Sequence, residues 1–396
     1  MTDRYSTRLP GSGSRKLISL LPLLAFLLGC GGDGERGGAA DAPAWRAERV
    51  ATISGAGEGG HGGGAGAGHH GGGPAGFAQI SSVLADDSGF VYVADFEARQ
   101  IHVFDGSGRH VRTIGREGAG PGEFRFLVSL AWMGDTLAAL DPVNTRIALL
   151  SRDGRPLGAW PYPPLTGNPT TIRLFRASDH EFRARVARPA RDGSMQRLYV
   201  RFTPQGAADT VASPASAAGQ QAVVCRVQAG LSVFEVPFRY PSVLDFSPDG
   251  AAAVVEGDDY RIAFVGPRGD TLRTVTREYD PVRVTDEEWE RETEGFRRFR
   301  RAAPGARCDP PSPPRPAAKD AIRWLMFAPS GEMWVEATTP GGFAWDVFGA
   351  DGRLLGSLPA PERAPGVPPY VRGDRLYVVR ADSLGVQYVD VYRVRR

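Results

Sequence analysis

Residues 90–114 read FVYVADFEARQIHVFDGSGRHVRTI, three short alternating segments separated by two turns. Phe90-Val91-Tyr92-Val93-Ala94-Asp95 alternates with the two-residue period of a strand. Five residues turn, and Ile101-His102-Val103-Phe104-Asp105 alternates again. A Gly-Ser-Gly-Arg turn then leads into His110-Val111-Arg112-Thr113-Ile114. The same frame returns 46 residues later without a gap. Asp141 falls where Asp95 falls, Ile147 where Ile101 falls, and Asp153-Gly154-Arg155 where Ser107-Gly108-Arg109 fall. A repeat of this length, built only from strand and turn signals, is the mark of small sheets arrayed in series.

The turn glycine recurs along the chain. Gly206 closes Leu198–Phe202, Gly269 closes Arg261–Val265, and Gly352 closes Trp345–Phe348. Each follows a short alternating segment and supplies a turn position that tolerates unusual backbone angles. A sixth pair, Leu376–Val379 and Tyr388–Tyr392, reaches the C-terminus with no third strand after it. Arg49-Val50-Ala51-Thr52-Ile53 near the N-terminus is similar to residues 110–114 and supplies that strand. The reading is an all-β, six-bladed β-propeller over residues 45–396, its last blade closed by the first strand of the fold. Radial closure leaves no long sheet edge exposed.

Asp141-Pro142-Val143-Asn144-Thr145-Arg146-Ile147 resembles the D-x-x-N-x-R-I of NHL-repeat propellers, and Gly115–Phe124 resembles their inter-blade segment. The combination resembles six-bladed propeller lipoproteins of bacteria. The likeness is strong in the first two blades and thin afterwards. Blade one departs from it, with Glu97, Ala98 and Arg99 in the hairpin. Asp141, Asn144 and Arg146 are read as structural, because buried loop polar groups need partners.

Three inter-blade connections are expanded: 54–76, 214–238 and 277–319. The first contains HGGGAGAGHHGGG, with His61, His69 and His70. These are candidate ligands for a divalent metal, the one cofactor the sequence suggests. A polyglycine loop orients no imidazole, however, and is costly to order. The third contains Thr285-Asp286-Glu287-Glu288, a capping-box start. It predicts a short helix whose aromatic face, Trp289, Phe296 and Phe299, packs onto the propeller rim. Cys225 and Cys308 lie in neighbouring connections and form a candidate disulfide. All these connections fall at one end of the blades, with the hairpin loops. Glu97, Arg99, Asp258, Asp259, Trp289 and Phe296 are therefore candidate binding-face residues.

The first residues carry an address. Arg4, Arg8, Arg15 and Lys16 precede an apolar run, Leu17–Leu28, that is too short to span a bilayer as a mature helix. It ends Leu27-Leu28-Gly29-Cys30, which resembles a bacterial lipobox in which Cys30 is acylated. Residues 1–29 then form a signal peptide, and 30–44, rich in Gly and Ala, form a tether. Gly31 after the cysteine implies, by that resemblance, the outer membrane of a Gram-negative cell. Residues 1–29 hold four basic groups and one acidic group of the chain's 47 and 45. The remainder has 43 and 44, a net charge of −1, which gives no electrostatic case for nucleic acid.

No G-x-S-x-G, H-E-x-x-H or P-loop is present. The sequence therefore reads as a monomeric, lipid-anchored binding or scaffold module for a protein or glycan at the envelope. The alternative is a metal-dependent hydrolase or lyase with its site in the central channel, near the insertion-bearing end.

Overall fold

The structure is a computed structural model. It describes residues 43–55, 77–163, 173–178, 181–189, 195–211, 222–227, 230–240, 243–255, 257–266 and 269–396. Among these, strands form six four-stranded antiparallel sheets and one three-stranded sheet. The chain is a six-bladed β-propeller.

The strand β1 (Arg46–Ile53) comes first. Blade one follows as β2 (Ile80–Ala85), β3 (Val91–Asp95), β4 (Gln100–Phe104) and β5 (His110–Ile114). Blade two is β6 (Ser129–Met133), β7 (Thr136–Asp141), β8 (Arg146–Leu150) and β9 (Pro156–Pro161). Blade three is β10 (Leu174–Ser178), β11 (Glu181–Pro189), β12 (Met195–Thr203) and β13 (Gly206–Val211). The hairpin β14 (Ala222–Val227) and β15 (Gly230–Glu235) precedes blade four. That blade is β16 (Leu244–Phe246), β17 (Ala252–Val255), β18 (Arg261–Val265) and β19 (Thr271–Thr276). Helix α1 (Asp286–Ala302) and β20 (Arg307–Asp309) precede blade five. Blade five is β21 (Ile322–Phe327), β22 (Met333–Thr339), β23 (Gly342–Phe348) and β24 (Leu354–Pro359). Blade six is β25 (Tyr370–Arg372), β26 (Arg375–Ala381), β27 (Gln387–Arg395) and β1, which pairs with β27 from Arg46↔Arg395 to Ile53↔Val389.

Burial follows from this order. The second strand of blade one is buried throughout, whereas the outer strand β5 is exposed except at half-buried Arg112 and buried Ile114. Blades then pack face to face through apolar side chains; one cluster joins Tyr92 and Val103 of blade one to Leu130 and Leu137 of blade two. The turn glycine has a packing reason as well as a conformational one. Gly154 has φ +93°, and a Cβ there would lie 2.7 Å from Ile114 of the preceding blade.

The chain enters the ring through Trp45. Its indole is buried with Met326, Trp334, Leu376 and Val394, over a strand position where Gly356 leaves the space. The Trp45 N–H donates to Ser357 O (2.8 Å) and the Ser357 N–H to Pro43 O (3.0 Å). The entering chain therefore latches onto blade five before it completes blade six.

Two insertions merge into one accessory unit. β14 pairs with β15 on one side and β20 on the other, with Cys225 opposite Cys308 in register and joined to it by a disulfide. Thr285 caps α1: its side chain accepts from the Glu288 N–H, and Glu288 accepts from the Thr285 N–H (3.1 Å). The helix differs from expectation in where its aromatic face goes. Phe296 and Phe299 pack on Val223, Cys225 and Phe234 of the accessory sheet, not on the propeller rim. The reason is the hairpin, whose apolar inner face offers a closer partner than any blade. Free-thiol titration of the full chain under denaturing, non-reducing conditions is expected to find neither Cys225 nor Cys308; two reactive thiols would contradict the pairing.

Candidate functional site

Antiparallel order puts the turns after the first and third strands of every blade at one end, called here the turn end. The hairpin loops and inter-blade connections lie at the other, the connection end. At the connection end the Asp141 carboxylate accepts from the N–H groups of Arg125 and Phe126 (both 3.0 Å) and from Asn144 Nδ2 (2.6 Å). Asn144 also donates to Gly118 O, and Arg146 to Ala119 O, Gly120 O and Glu123 O. These residues bind the hairpin to the preceding connection. Asp95 does the same in blade one, accepting from the N–H groups of Ala78, Gln79, Glu97 and Ala98. Arg99 and Thr145, at matching positions, both have φ near +50° (+55° and +50°).

The candidate binding-face residues are not brought together. Glu97 is exposed, and Arg99 donates to Arg125 O (3.3 Å) and pairs with Glu117 (3.2 Å), all around blade one. Asp258 and Asp259 lie across the ring in blade four, where Asp258 O accepts from the Ala321 N–H and its carboxylate meets Arg239 (3.5 Å). Trp289 is half-buried. Phe296 is 8% exposed, because it forms the small core of the accessory unit, and so is not a binding-face residue. Cys30, His61, His69 and His70 lie outside the described residues. Among the described residues no group of three or more His, Cys, Asp or Glu could hold a metal ion.

Among the described residues a concave site lies in the central channel. A cavity of about 330 Å³ is walled by the inner strands of all six blades. It runs from Arg173 and Pro368, which precede their strands, to Pro248 and Pro329, exposed in turns at the turn end. Its wall is mixed: the aromatic and apolar side chains Trp132, Phe175, Phe246, Met326, Phe327 and Tyr370 stand beside the polar Ser82, Ser129, Arg173, Asp245 and Arg372.

Inner strands have a sheet partner on one side only, so their channel-facing N–H groups need other acceptors. Side chains of the neighbouring inner strand provide them. Ser82 Oγ accepts from the Leu130 N–H (3.1 Å), Ser129 Oγ from the Leu174 N–H (3.1 Å), and Asp245 Oδ2 from the Phe327 N–H (3.1 Å). Asp245 Oδ1 accepts from the Phe246 N–H (2.8 Å), and Arg173 Nη2 donates to Oδ2 (3.3 Å). Burial pushes the Asp245 carboxyl above the usual carboxylate range, opposed by Arg173 and the two N–H groups. The Arg173 guanidinium lies over the rings of Phe175 (4.8 Å) and Trp324 (5.6 Å).

A second charged group lies beside Trp324. Glu336, fully buried, accepts from Arg323 Nε (2.7 Å) and Arg363 Nη2 (2.8 Å). Burial pushes its carboxyl up, and the two guanidiniums overcome that to hold it below the usual range.

The sequence reading missed Arg173, Asp245 and Glu336. A signal for two of them was present: Asp245 interrupts Val243-Leu244-Asp245-Phe246, and Glu336 interrupts Met333-Trp334-Val335-Glu336-Ala337. A charge inside a continuous apolar strand must be paired. Which group pairs with it is a property of the closed ring.

A family model described as a six-bladed β-propeller matches residues 75–147, which cover blade one and reach into the third strand of blade two. No curated protein matches the chain. Among solved structures, the chain is similar to virginiamycin B lyase from Staphylococcus aureus. Identity is 10%, over 79% of this chain and 94% of that one, with a TM-score of 0.36. It is similar to a member of a family of undefined function from Bacteroides vulgatus, with 9% identity, 81% and 94% coverage and a TM-score of 0.43. It is also similar to a protein of unknown function from Bacteroides caccae, with 10% identity, 72% and 83% coverage and a TM-score of 0.38.

Proposed function

We propose that this chain is a lipid-anchored module of the bacterial cell envelope that binds a partner with the connection end of its propeller. The observation that carries the reading is the opposition of the two ends. The chain enters beside Trp45, whose neighbour Arg396 pairs with Glu332 of a turn-end loop (2.6 Å). The accessory unit is rooted at the other end, through the Ala321 N–H on Asp258 O and the Asp320 N–H on Phe238 O. A lipid on Cys30 and a tether over 30–44 would attach the membrane at the turn end and leave the connection end, with the accessory unit, free to be presented to a partner.

Large aliphatic side chains are exposed on that presented side: Leu231 (64%) and Val233 (61%) on the accessory sheet, and Val143 and Leu384 in hairpin loops. Aliphatic surface of this kind suits a protein better than a glycan, which is held by aromatic faces and polar groups.

Two measurements test the reading in a Gram-negative host. The full chain is expected in the membrane fraction, and Cys30→Ser in the soluble fraction of the envelope; a variant still in the membrane overturns the anchor. A photo-crosslinking side chain at Leu231 is expected to yield a discrete adduct that the same group at turn-end Asp351 does not. Equal products from both positions, or none from Leu231, overturn the binding reading. The mass of the adduct distinguishes protein from glycan.

A further inference from the structure

Among the described residues, the side chains lining the central channel offer more hydrogen-bond donors than acceptors. Asp245 is the one carboxylate in its wall, and its two oxygens already take three donors. Arg173 has five N–H groups, of which one hydrogen bond, to Asp245, is formed among the described residues. Ser82 and Ser129 each use the oxygen to accept a backbone N–H, which leaves the hydroxyl hydrogen to donate. The charged residues of the wall are Arg173, Arg372 and Asp245; Arg372 is paired with Asp87 outside the wall, whereas Arg173 shares Asp245 with two backbone N–H groups.

We infer that the channel binds a small carboxylic acid with an apolar body, its carboxylate on Arg173 and its body along the aromatic wall. Arg173 is pre-organised for this: rings of Phe175 and Trp324 lie against the guanidinium, and Asp245 fixes one edge, so little freedom is lost when an anion arrives. The side chain is 24% exposed, so it is reachable. The ligand enters from the turn end, past Pro248 and Pro329, and its apolar part meets Phe246, Met326 and Phe327. A cavity of about 330 Å³ is at the small end of ligand sites, which suits a metabolite and excludes a folded partner. This site is separate from the proposed docking surface, and either can fail without the other.

The test uses the purified full chain and three matched probes: 3-phenylpropanoate, 3-phenylpropan-1-ol and 3-phenylpropylammonium. Binding is read by calorimetry and by tryptophan fluorescence, since Trp132 lines the cavity. The acid is expected to bind saturably, and the alcohol and the amine about ten- to a hundredfold more weakly, the range of one charge-assisted contact. Arg173→Met is expected to lose that preference and Arg173→Lys to keep part of it. The wild-type comparison of the three probes stands even where a variant fails to fold. Equal binding of acid and alcohol, tighter binding of the amine, no saturable binding of the acid at millimolar concentration, or full acid affinity in a folded Arg173→Met each overturns the inference.

Discussion

A chain that begins at residue 54 is expected to lose the cooperative fold, whereas one that begins at residue 43 keeps it. The difference is strand β1 together with Trp45 just before it. Without it, blade six has three strands, and β27, nine residues long, becomes an open edge with a row of unpaired backbone groups. Three side-chain losses add to this. Ile53, 1% exposed, leaves the cluster it shares with Phe77, Phe104 and Val389. Trp45 leaves the blade five–six core. Asp390, fully buried, loses Thr52 Oγ1 (2.6 Å) and Arg49 (3.4 Å) and keeps Arg380 (2.8 Å). Seven register pairs and two large apolar side chains together rival the roughly 5–15 kcal/mol by which a whole domain is stable. Thermal unfolding followed by circular dichroism, with size-exclusion chromatography, checks this. A monomeric 54–396 chain melting within a few degrees of the 43–396 chain would show that closure by β1 is dispensable.

Glu336→Ala is expected to cost about 3–5 kcal/mol, the scale for removing one partner of a buried ion pair. The carboxylate is fully buried on β22 and serves two guanidiniums from different parts of the chain. Arg323 belongs to blade five, and Arg363 to the connection from blade five to blade six. Alanine leaves both charges without this counterion, and Arg363, only 7% exposed, has little access to water. The expectation extends to pH. Glu336 titrates below its unfolded value, so its contribution is fully present above about pH 4.3. It is lost as pH falls through the folded pKa. Denaturant melts of wild type and variant should therefore differ by a constant amount near neutrality and converge in acid. Equal stabilities at pH 7 would mean that the two arginines find other partners. A gap that already closes at or above about pH 4.3, where an unshifted carboxyl would protonate, would contradict the depressed pKa.

The residues that made the fold legible are those that act locally. Asp95 and Asp141 recur at one spacing because each caps its own hairpin and the connection just before it, an arrangement of neighbours in sequence. Thr285 and Glu288 announced the start of α1 for the same reason. The helix face was misplaced because Phe296 has an apolar partner, Phe234, that lies 62 residues away in another insertion. No periodicity within either segment carries that pairing. The channel was hidden more completely. Arg173 and Asp245 come from blades three and four, and the N–H that Asp245 satisfies comes from Phe327 in blade five.

Sequence alone determined the number of blades, their strand order and the strand borrowed from the N-terminus, because alternation and turn chemistry are short-range properties of the chain. Only the tertiary structure decided which end of the disc the chain enters, how two insertions share one small core, and which donors are left unspent in the channel. Each depends on closing the ring, which brings side chains from separate blades within hydrogen-bond distance and leaves the inner strand edges to be satisfied by whatever that closure supplies.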